Sequence, residues 1–410
     1  MKTCTSKPSR TTPQRLDSAL WAILALALAL RLLYVLIAAP AGFHGPDAPL
    51  YDRIAWRLIT EGRYIAEDHL GGMSYATRPV LFPFVLAGIY AVFGRGFLAI
   101  RLLQCLLGAL TCGLTYSMGR EVGGRRTGVL AGLGAAIFPQ LIYYCATLTT
   151  ETLCIFLTTC GMYLVLRSFR REAGLGWWAA AGAALGLAGL TRSAMLGLVP
   201  ALCLWLVFSM KPRRAALARA ALMAAAAAAV VSPWAIRNYS VLGEFVPATT
   251  EGGYTFWVTS NPRATGGGHC FLPDDLAPFA GLNEVEADRL FYKMGMQFAR
   301  QNPWRFAQLL AAKLVRFWRP WPHADEVGAK AAIVGGISFV PVLLLAAAGV
   351  VLAWRRRREL SILYVQTGYT TAVYCMYMAV TRYRAPLMPA LLVLAALAAA
   401  RIIKVDSWQS

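Results

Sequence analysis

Acidic residues are scarce in this chain, and charges of any kind are few. Only 20 of 410 residues are Asp or Glu, against 40 Lys or Arg, and charged residues make up 15% of a sequence that is 58% hydrophobic. An ordinary soluble domain has about a quarter of its residues charged, so this composition excludes one. The net charge of +20 lies in short clusters between apolar runs, which is typical of membrane loops and argues against nucleic-acid binding.

Several familiar catalytic and metal-binding patterns are also missing. The nine cysteines include no CxxC pair, and only Cys270 lies in a polar loop. This spacing predicts neither a disulfide framework nor a zinc site. There is no Gly-rich phosphate loop, no HExxH and no nucleophile elbow. Any chemistry must therefore come from the few acids and from the arginines.

Apolar segments dominate the chain and predict its fold class. Ten of them reach or approach the length of about 20 residues that crosses a bilayer: 18–39, 98–119, 127–143, 151–169, 176–191, 194–210, 215–236, 329–354, 360–380 and 386–403. The first is long for a signal peptide and contains Arg31, so an uncleaved span is the better interpretation. The prediction is an all-α polytopic membrane protein with about ten transmembrane helices and external juxtamembrane helices.

The basic clusters predict how these spans are oriented. With a cytoplasmic N-terminus, "GREVGGRR", "RSFRRE", "KPRRAALAR", "RRRRE" and "RIIK" all lie on the cytoplasmic side, as the positive-inside rule requires. If the apolar stretch 79–94 crossed the membrane, every later loop would be inverted. It is therefore predicted to lie in the interface or to dip in and return.

This orientation divides the chain into four parts. They are a cytoplasmic tail (1–17), a transmembrane catalytic module (18–236, with external loop 40–97 and second-loop acid region 144–151), a large external loop (237–328) and a C-terminal transmembrane module (329–410). Neither external segment is long or apolar enough for a core of its own. Both are expected to form lids and interfacial helices on the bundle.

Two acids stand where the chain leaves the membrane on the predicted external side. Asp47 begins a predicted amphipathic helix over residues 47–62, and its simplest role is that of an N-cap. Glu151 is the only acid between Glu121 and Glu172. It is either a first-turn residue favoured by the helix dipole or a functional group, since a charge at that depth is costly. Together the two acids suggest general-base chemistry or a divalent ion.

Arginines on the same side add a second kind of group. Five of them lie beside the ends of apolar segments: Arg78, Arg192, Arg237, Arg382 and Arg384. A guanidinium suits a phosphate, although each side chain can instead extend to lipid headgroups. In the large external loop, Tyr254, Phe256 and Trp257 are candidates either for stacking on sugars or for anchoring in the membrane interface.

These stretches resemble the GT-C membrane glycosyltransferases of the protein O-mannosyltransferase and aminoarabinose-transferase type. The matching landmarks are "GPDAPLYDRIAWRLITEGRY", "TRPVLFPFVLAGIYAVFGRG" with "AIRLLQCLLGALT", "FPQLIYYCATLTTETL", "LGLAGLTRSA", "IRNYSVLGEFVPATTEGGYTFWVTSNPRATGG" and "RYRAPLMPALLVL". Each motif is loose, but their order and spacing carry the resemblance along most of the chain. It implies a GT-C-like bacterial enzyme of the cytoplasmic (inner) membrane, with its active site on the external face.

The resemblance also implies roles for individual residues. The implied donor is a polyprenyl-phosphate-linked sugar, and the acceptor (lipid, glycan or protein) is left open. The candidate site comprises Asp47 and Glu151 as catalytic acids; Arg384, Arg382, Arg237, Arg78 and Arg192 around the donor phosphate; and Tyr51, Tyr383 and His44 lining the substrate. No metal site is predicted among them, although a divalent cation is left open as a cofactor. Asp47 is the candidate base of an inverting transfer, and the arginines would stabilise the leaving phosphate.

Two departures from the family pattern keep the acceptor open. Ala48 follows Asp47 where eukaryotic mannosyltransferases have a second acid, and the sequence ends just after the last predicted span, where many relatives carry a further domain. The main alternative is a transporter or flippase of lipid-linked substrates, which predicts charges near the midplane and broken helices in paired halves. Another lipid-linked transferase, such as an oligosaccharyltransferase or an O-antigen ligase, and a non-catalytic scaffold are further alternatives.

Overall fold

The computed structural model describes residues 17–39, 42, 45, 47–67, 70, 72–171, 174–268, 272–322 and 328–403. The α-helices are α1 Ser18–Leu33 (continued by a π-helical turn, Tyr34–Ala38), α2 Ala48–Thr60, α3 Leu81–Phe93, α4 Phe97–Ile137, α5 Pro139–Tyr143, α6 Glu151–Arg171, α7 Leu175–Thr191, α8 Leu198–Ser209, α9 Arg213–Leu242, α10 Gly252–Trp257, α11 Glu284–Gln301, α12 Pro303–Trp318, α13 Ala329–Leu352, α14 Arg357–Met376 and α15 Met388–Ile402. Short 3₁₀ helices cover Tyr144–Ala146, Ser193–Met195, Pro273–Phe279, Trp354–Arg356 and Thr381–Leu387. Strand β1 (Ala66–Glu67) pairs antiparallel with β2 (Met73–Ser74).

The helices confirm an all-α multi-pass membrane protein. Each predicted span overlaps a helix, and six helices in the described part of the chain are long and apolar enough to cross a bilayer. Helix α8 has only 12 residues and is therefore about 18 Å long, well below the roughly 30 Å of a hydrocarbon core. The total number of spans thus stays a prediction.

Helix α4 is two predicted spans joined at a kink. Gly124 has φ 80° and ψ −175° inside it, a conformation that a residue with a Cβ rarely adopts. The chain doubles back there, so that a Cβ on Gly128 would lie 2.8 Å from the Tyr116 carbonyl oxygen. The two halves form the hairpin expected for spans 98–119 and 127–143. The second half ends at Ile137 rather than at residue 143, because Phe138 is extended before Pro139.

Small residues bring α7 and α9 into close contact. A Cβ on Gly182 would lie 2.1 Å from the Met223 carbonyl oxygen, and one on Gly186 would lie 2.9 Å from the Ala227 carbonyl oxygen. Backbones can approach this closely only where side chains are absent or very small. This pair therefore forms a tightly packed wall of the bundle.

The first external loop contains the predicted amphipathic helix, as α2. Helix periodicity places Asp52 off the apolar stripe of α2, yet its side chain is not exposed to water. Asp52 is buried and accepts hydrogen bonds from Tyr90 Oη at 2.7 Å and from Nε and Nη2 of Arg95. These bonds join α2 to α3. Helix α3 has 13 residues, or about 20 Å, so its length favours the non-crossing interpretation of 79–94, which stays a prediction.

The large external segment has a small aromatic core. Tyr254, Phe256 and Trp257 are all buried, and Trp257 packs against Phe291 with ring centroids 5.3 Å apart. Phe291 in turn stacks on Phe279 at 3.7 Å. The expectation that the trio stacks on sugars or anchors in the membrane interface is corrected here, because these side chains hold α10 against α11.

Candidate functional site

A cavity of about 430 Å³ opens where the two segments predicted to be external meet the ends of the spans. Six predicted site residues line it: Asp47, Tyr51, Arg78, Arg192, Arg382 and Tyr383. They come from α2, from the segment before α3, from the end of α7 and from the 3₁₀ helix before α15. A volume of this size is typical of small-molecule sites. The fold therefore brings together residues that are hundreds of positions apart.

Asp47 occupies the N-cap position of α2 but does not act as a cap. Its side chain makes no capping hydrogen bond, so the simplest interpretation from the sequence is wrong. Instead, Arg382 Nη1 donates to Asp47 Oδ2 at 3.1 Å, and the Asp47 side chain keeps 23% of its surface exposed. Asp47 is thus a carboxylate at the cavity wall, held by an arginine and still accessible.

Glu151 lies directly behind the cavity wall and reaches it through Arg192. It begins α6 and is buried, and Arg192 Nη2 donates to its Oε1 at 2.6 Å. Arg192 Nε also donates to Thr150 Oγ1 at 3.0 Å. The ring of Tyr383 lies 4.8 Å from the Arg192 guanidinium and 5.1 Å from that of Arg382. The two acid–arginine pairs therefore share one aromatic ring as a spacer.

A third pair was not predicted from the sequence. Arg78 Nη1 donates to Glu251 Oε1 in a short contact, and both side chains line the cavity. Burial is the largest single influence on Arg78 and would lower its pKa, but Glu251 together with Tyr51, Asp47 and Tyr383 outweighs it and raises that pKa above its usual value. Glu251 precedes two glycines in "TTEGGYTFW". The sequence signal that could have identified Glu251 as a site residue is that it is one of the few acids in the segments predicted to be external.

Two predicted phosphate ligands are not brought to this cavity. Arg384 donates to the carbonyl oxygens of Phe317 at 3.3 Å and Arg319 at 2.7 Å, and its guanidinium lies over the Phe339 ring. Arg237 donates to the Tyr75 and Tyr64 carbonyl oxygens at 2.6 and 3.2 Å. Both guanidinium groups thus hold backbone segments together.

The remaining predicted residues lie at the cavity wall or outside the described residues. Tyr51 is buried, and burial is the main cause that raises the pKa of its hydroxyl, so it remains protonated. His44 lies outside the described residues. Sequence reasoning missed four further tyrosines on the wall, because they lie in or directly after helices where an aromatic residue ordinarily indicates packing: Tyr292, Tyr369, Tyr374 and Tyr377.

Metal ligands do not come together in the part of the chain that the structure describes. Over residues 17–403, leaving out the gaps given above, no three His, Cys, Asp or Glu side chains form a group that could hold an ion. The positive charges at this site come from arginine. The charged groups that line the cavity are thus two partly exposed carboxylates, Asp47 and Glu251, and three guanidinium groups.

Comparison with known proteins places this arrangement in a family context. A family profile described as dolichyl-phosphate-mannose-protein mannosyltransferase matches residues 77–236. An undecaprenyl phosphate-α-4-amino-4-deoxy-L-arabinose arabinosyl transferase from Pseudomonas fluorescens is 25% identical over 317 residues, covering 76% of this chain and 51% of the relative. A transferase of the same description from Pseudomonas aeruginosa is 26% identical over 221 residues, covering 53% of this chain and 40% of the relative.

Solved structures agree in fold. The Archaeoglobus fulgidus oligosaccharyltransferase superposes with a TM-score of 0.62 at 15% identity, covering 94% of this chain and 51% of that one. ArnT from Cupriavidus metallidurans, bound to undecaprenyl phosphate, superposes with a TM-score of 0.51 at 18% identity, covering 94% and 79%. This chain has a GT-C-type membrane fold. The resemblance to protein O-mannosyltransferases and aminoarabinose transferases, inferred from the motifs, is confirmed.

The extent of the match limits which properties of the relatives can be assigned to this chain. The chain spans about half the length, or less, of the curated relatives that it matches. The profile covers Arg78, Glu151 and Arg192, and ends just before Arg237. The cavity, by contrast, needs Asp47 and Arg382 from outside that range. Its chemistry must therefore be argued from its own geometry.

Proposed function

We propose that this protein is a glycosyltransferase that moves a sugar from a polyprenyl phosphate to an acceptor at the external face of the cytoplasmic membrane. The observation that supports it most is the cavity in which Asp47, Arg78, Arg192 and Arg382 meet beside the predicted membrane boundary. The relatives include undecaprenyl phosphate-α-4-amino-4-deoxy-L-arabinose arabinosyl transferases, and this supports a polyprenyl-phosphate-linked sugar as the donor. No nucleic acid has a part in this function.

The three arginines are the groups that receive the donor phosphate. Each already has a carboxylate partner, namely Asp47, Glu151 or Glu251, so the site is close to electrically balanced without substrate. A lipid phosphodiester adds negative charge, for which a guanidinium provides a planar set of donors. Arg78 and Arg382 lie on opposite segments of the wall and are the phosphate ligands of this proposal. Arg192 stays with Glu151, which is fully buried behind it.

Asp47 is the general base. As the acceptor hydroxyl attacks the anomeric carbon from the face opposite the phosphate, the bond between that carbon and the phosphate oxygen breaks. The hydroxyl proton passes to Asp47, the electron pair leaves with the lipid phosphate, and the configuration inverts. General-base assistance of this kind contributes about 10²- to 10⁴-fold. Arginines on the leaving phosphate lower the barrier further.

The test is transfer of radiolabelled sugar by the purified protein from synthetic polyprenyl-phosphate donors to mixed peptide, lipid and glycan acceptors. Asp47→Asn keeps the shape of the side chain but cannot take a proton, so we expect transfer to fall by about 10³-fold. Glu151→Gln leaves Arg192 without a counter-charge and should also lower transfer strongly. Thermal unfolding of each variant checks that the protein is still folded.

A matched control separates the site from general damage. Asp275 is also an external aspartate held by an arginine, since Arg263 Nη1 donates to its Oδ1 at 2.7 Å, but it does not line the cavity. Asp275→Asn should therefore leave transfer unchanged. Absence of turnover with every donor, together with movement of lipid-linked sugar between leaflets that survives Asp47→Asn, would replace this proposal with a transporter.

A further inference from the structure

The two loops that lead to Asp47 and Glu151 are hydrogen-bonded to side chains on one face of α4. Arg101 is buried, and its guanidinium donates from Nε to the Ala146 carbonyl oxygen and from Nη2 to the Gly42 carbonyl oxygen, both at 2.9 Å. Gly42 lies five residues before Asp47, and Ala146 lies five residues before Glu151. One side chain thus bridges the segments that lead to the two carboxylates.

A second side chain of α4 extends this contact along the same loop. Gln104 lies three residues after Arg101, on the same helix face, and its Nε2 donates to the carbonyl oxygens of Cys145 at 3.2 Å and Thr147 at 2.9 Å. Three carbonyl groups of the second loop are therefore bound by two side chains of a rigid helix. A loop bound in this way has little freedom to shift relative to α4.

The two loops also touch each other. A Cβ on Gly45 would lie 2.5 Å from Thr149 Cγ2, and Gly45 has φ +108°. No side chain fits at position 45 without displacing Thr149, two residues before Glu151. Thr149 Oγ1 is itself within 2.8 Å of Thr147 Oγ1. The Arg101 hydrogen bonds thus limit how far the two acid-bearing segments can move apart, and the contact between Gly45 and Thr149 limits how closely they can approach.

The geometry points to Arg101 as a positioning residue that, with Gln104, sets the location of Asp47 relative to Glu151 and its partner Arg192. This inference rests on the proposed function, because its consequence is catalytic. A displacement of about 1 Å at reacting groups can cost about 10²-fold in rate. Neither Arg101 nor Gln104 lines the cavity, so each acts through the backbone and touches no substrate.

The planar fork of arginine is needed for this bridge. One guanidinium directs its Nε and Nη2 donors toward two different carbonyl groups, whereas an ammonium is a compact point donor on a flexible stem. Arg101→Lys keeps the charge and most of the volume but not the simultaneous reach to Gly42 and Ala146. We expect kcat to fall by about 30- to 100-fold. The donor KM should change by less than about threefold, because Arg78 and Arg382 are untouched.

The control is an arginine that joins two segments through a backbone carbonyl elsewhere on the external side. Arg305 Nη2 donates to the Ala264 carbonyl oxygen at 3.0 Å and lies outside the cavity. Arg305→Lys should leave kcat and KM as in the unaltered protein. If Arg101→Lys also leaves kcat unchanged, or if its kcat loss is matched by a proportional loss of folded protein at the assay temperature, the inference is overturned.

Gly45→Ala tests the same spacing from the loop side. Its Cβ would collide with Thr149 Cγ2, so we expect kcat to fall by about 10-fold or more. Thr149→Ser removes that methyl group and keeps the hydroxyl near Thr147, so the double variant should recover much of the loss. Gly94→Ala also puts a Cβ at a positive φ, of +78°, but into open space. It should leave kcat unchanged, which isolates the collision from backbone strain.

The outcomes separate this inference from the proposed function. If the unaltered protein transfers no sugar from any polyprenyl-phosphate donor, the proposed function fails. If it transfers sugar, loses activity with Asp47→Asn and keeps full kcat with both Arg101→Lys and Gly45→Ala, only the positioning role fails. Loss in Gly45→Ala without recovery in the double variant would also contradict it, since the Thr149 contact would then not be the cause.

Discussion

Two cavities formed by the described residues differ in their chemistry, and the larger of the two has fewer charged groups. The second measures about 670 Å³ and lies between α2, α3 and α9, with walls that include Leu58, Phe84, Val230 and Trp234. One of its two arginines, Arg237, is bound to backbone carbonyl groups and packs on Trp234 at 4.8 Å. The smaller cavity contains two carboxylates and three arginines.

The difference between the cavities shows what identifies a site in this fold. Volume does not identify a functional site, because the apolar cavity is the larger of the two. The presence of an arginine in the wall does not identify one either, since Arg237 is held by the Tyr75 and Tyr64 carbonyl groups. What distinguishes the smaller cavity is that arginines are paired with carboxylates, which leaves them able to exchange one anionic partner for another.

The largest difference in transfer should appear when one arginine from each cavity is replaced by glutamine. Arg382→Gln removes both the partner of Asp47 and a ligand of the leaving phosphate, so transfer should fall by about 10²- to 10³-fold. Arg237→Gln removes only contacts with backbone carbonyls and should change transfer by less than about threefold. Initial rates at saturating donor, with unfolding temperatures for both variants, measure this. Equal losses would mean that the two cavities do not differ in function.

A smaller effect is expected at Arg78 and Glu251, which both line the smaller cavity. Replacing one or the other should change the donor KM in opposite directions. Arg78→Gln removes a phosphate ligand and should raise the donor KM by about 10-fold. Glu251→Gln removes a carboxylate that competes with the phosphate for Arg78, and should lower the donor KM by about threefold. Steady-state kinetics with varied donor concentration decide the signs. A rise in KM for both variants would show that Glu251 orients Arg78 rather than competing for it.

The smallest effect on transfer should come from a carboxylate outside both cavities. Burial raises the pKa of Asp288 to about 6, above an unfolded value near 3.8, while Gly253 N donates to its Oδ1 at 2.6 Å. The folded state therefore binds more protons between about pH 4 and 6, so stability is lost as pH rises through that window and is constant above it. Allowing for partial exposure, the loss is about 1–2 kcal/mol.

Asp288→Asn removes this titration and can still accept the Gly253 N–H. Thermal unfolding of the variant should therefore lose the decline in stability between pH 4 and 6 that the unaltered protein shows, and be more stable at pH 7, with transfer changed by less than about twofold. A variant that follows the same pH curve as the unaltered protein would assign the decline to other groups.

Much of the fold could be predicted because its signals are local. The ten apolar segments each contain a helix, and the amphipathic helix after the first span runs from Ala48 to Thr60 as its apolar spacing indicates. The burial of Asp52 could not be predicted in this way, because helix periodicity places this residue off the apolar stripe. The contact with Tyr90 and Arg95 depends on how α3 packs against α2, and no feature of α2 by itself reveals it.

The site could be predicted only in part, for a related reason. Asp47, Glu151, Arg78, Arg192 and Arg382 stood out as rare charges at external ends of spans. Glu251 did not, because it lies among ordinary loop residues and gains its place through Arg78. The cavity tyrosines are indistinguishable in sequence from aromatic residues that pack a bundle.

The sequence by itself determined the membrane bundle and that the site's charges lie beside the ends of its helices, because span length and the cost of burying charge act on each segment separately. Only the tertiary structure decided which charges meet. Asp47 and Arg382 are 335 residues apart, and Arg384, two positions further along the same 3₁₀ helix, faces backbone carbonyl groups instead. At about three residues per turn, positions two apart point in different directions. Packing of the neighbouring helices then decides which arginine reaches the cavity.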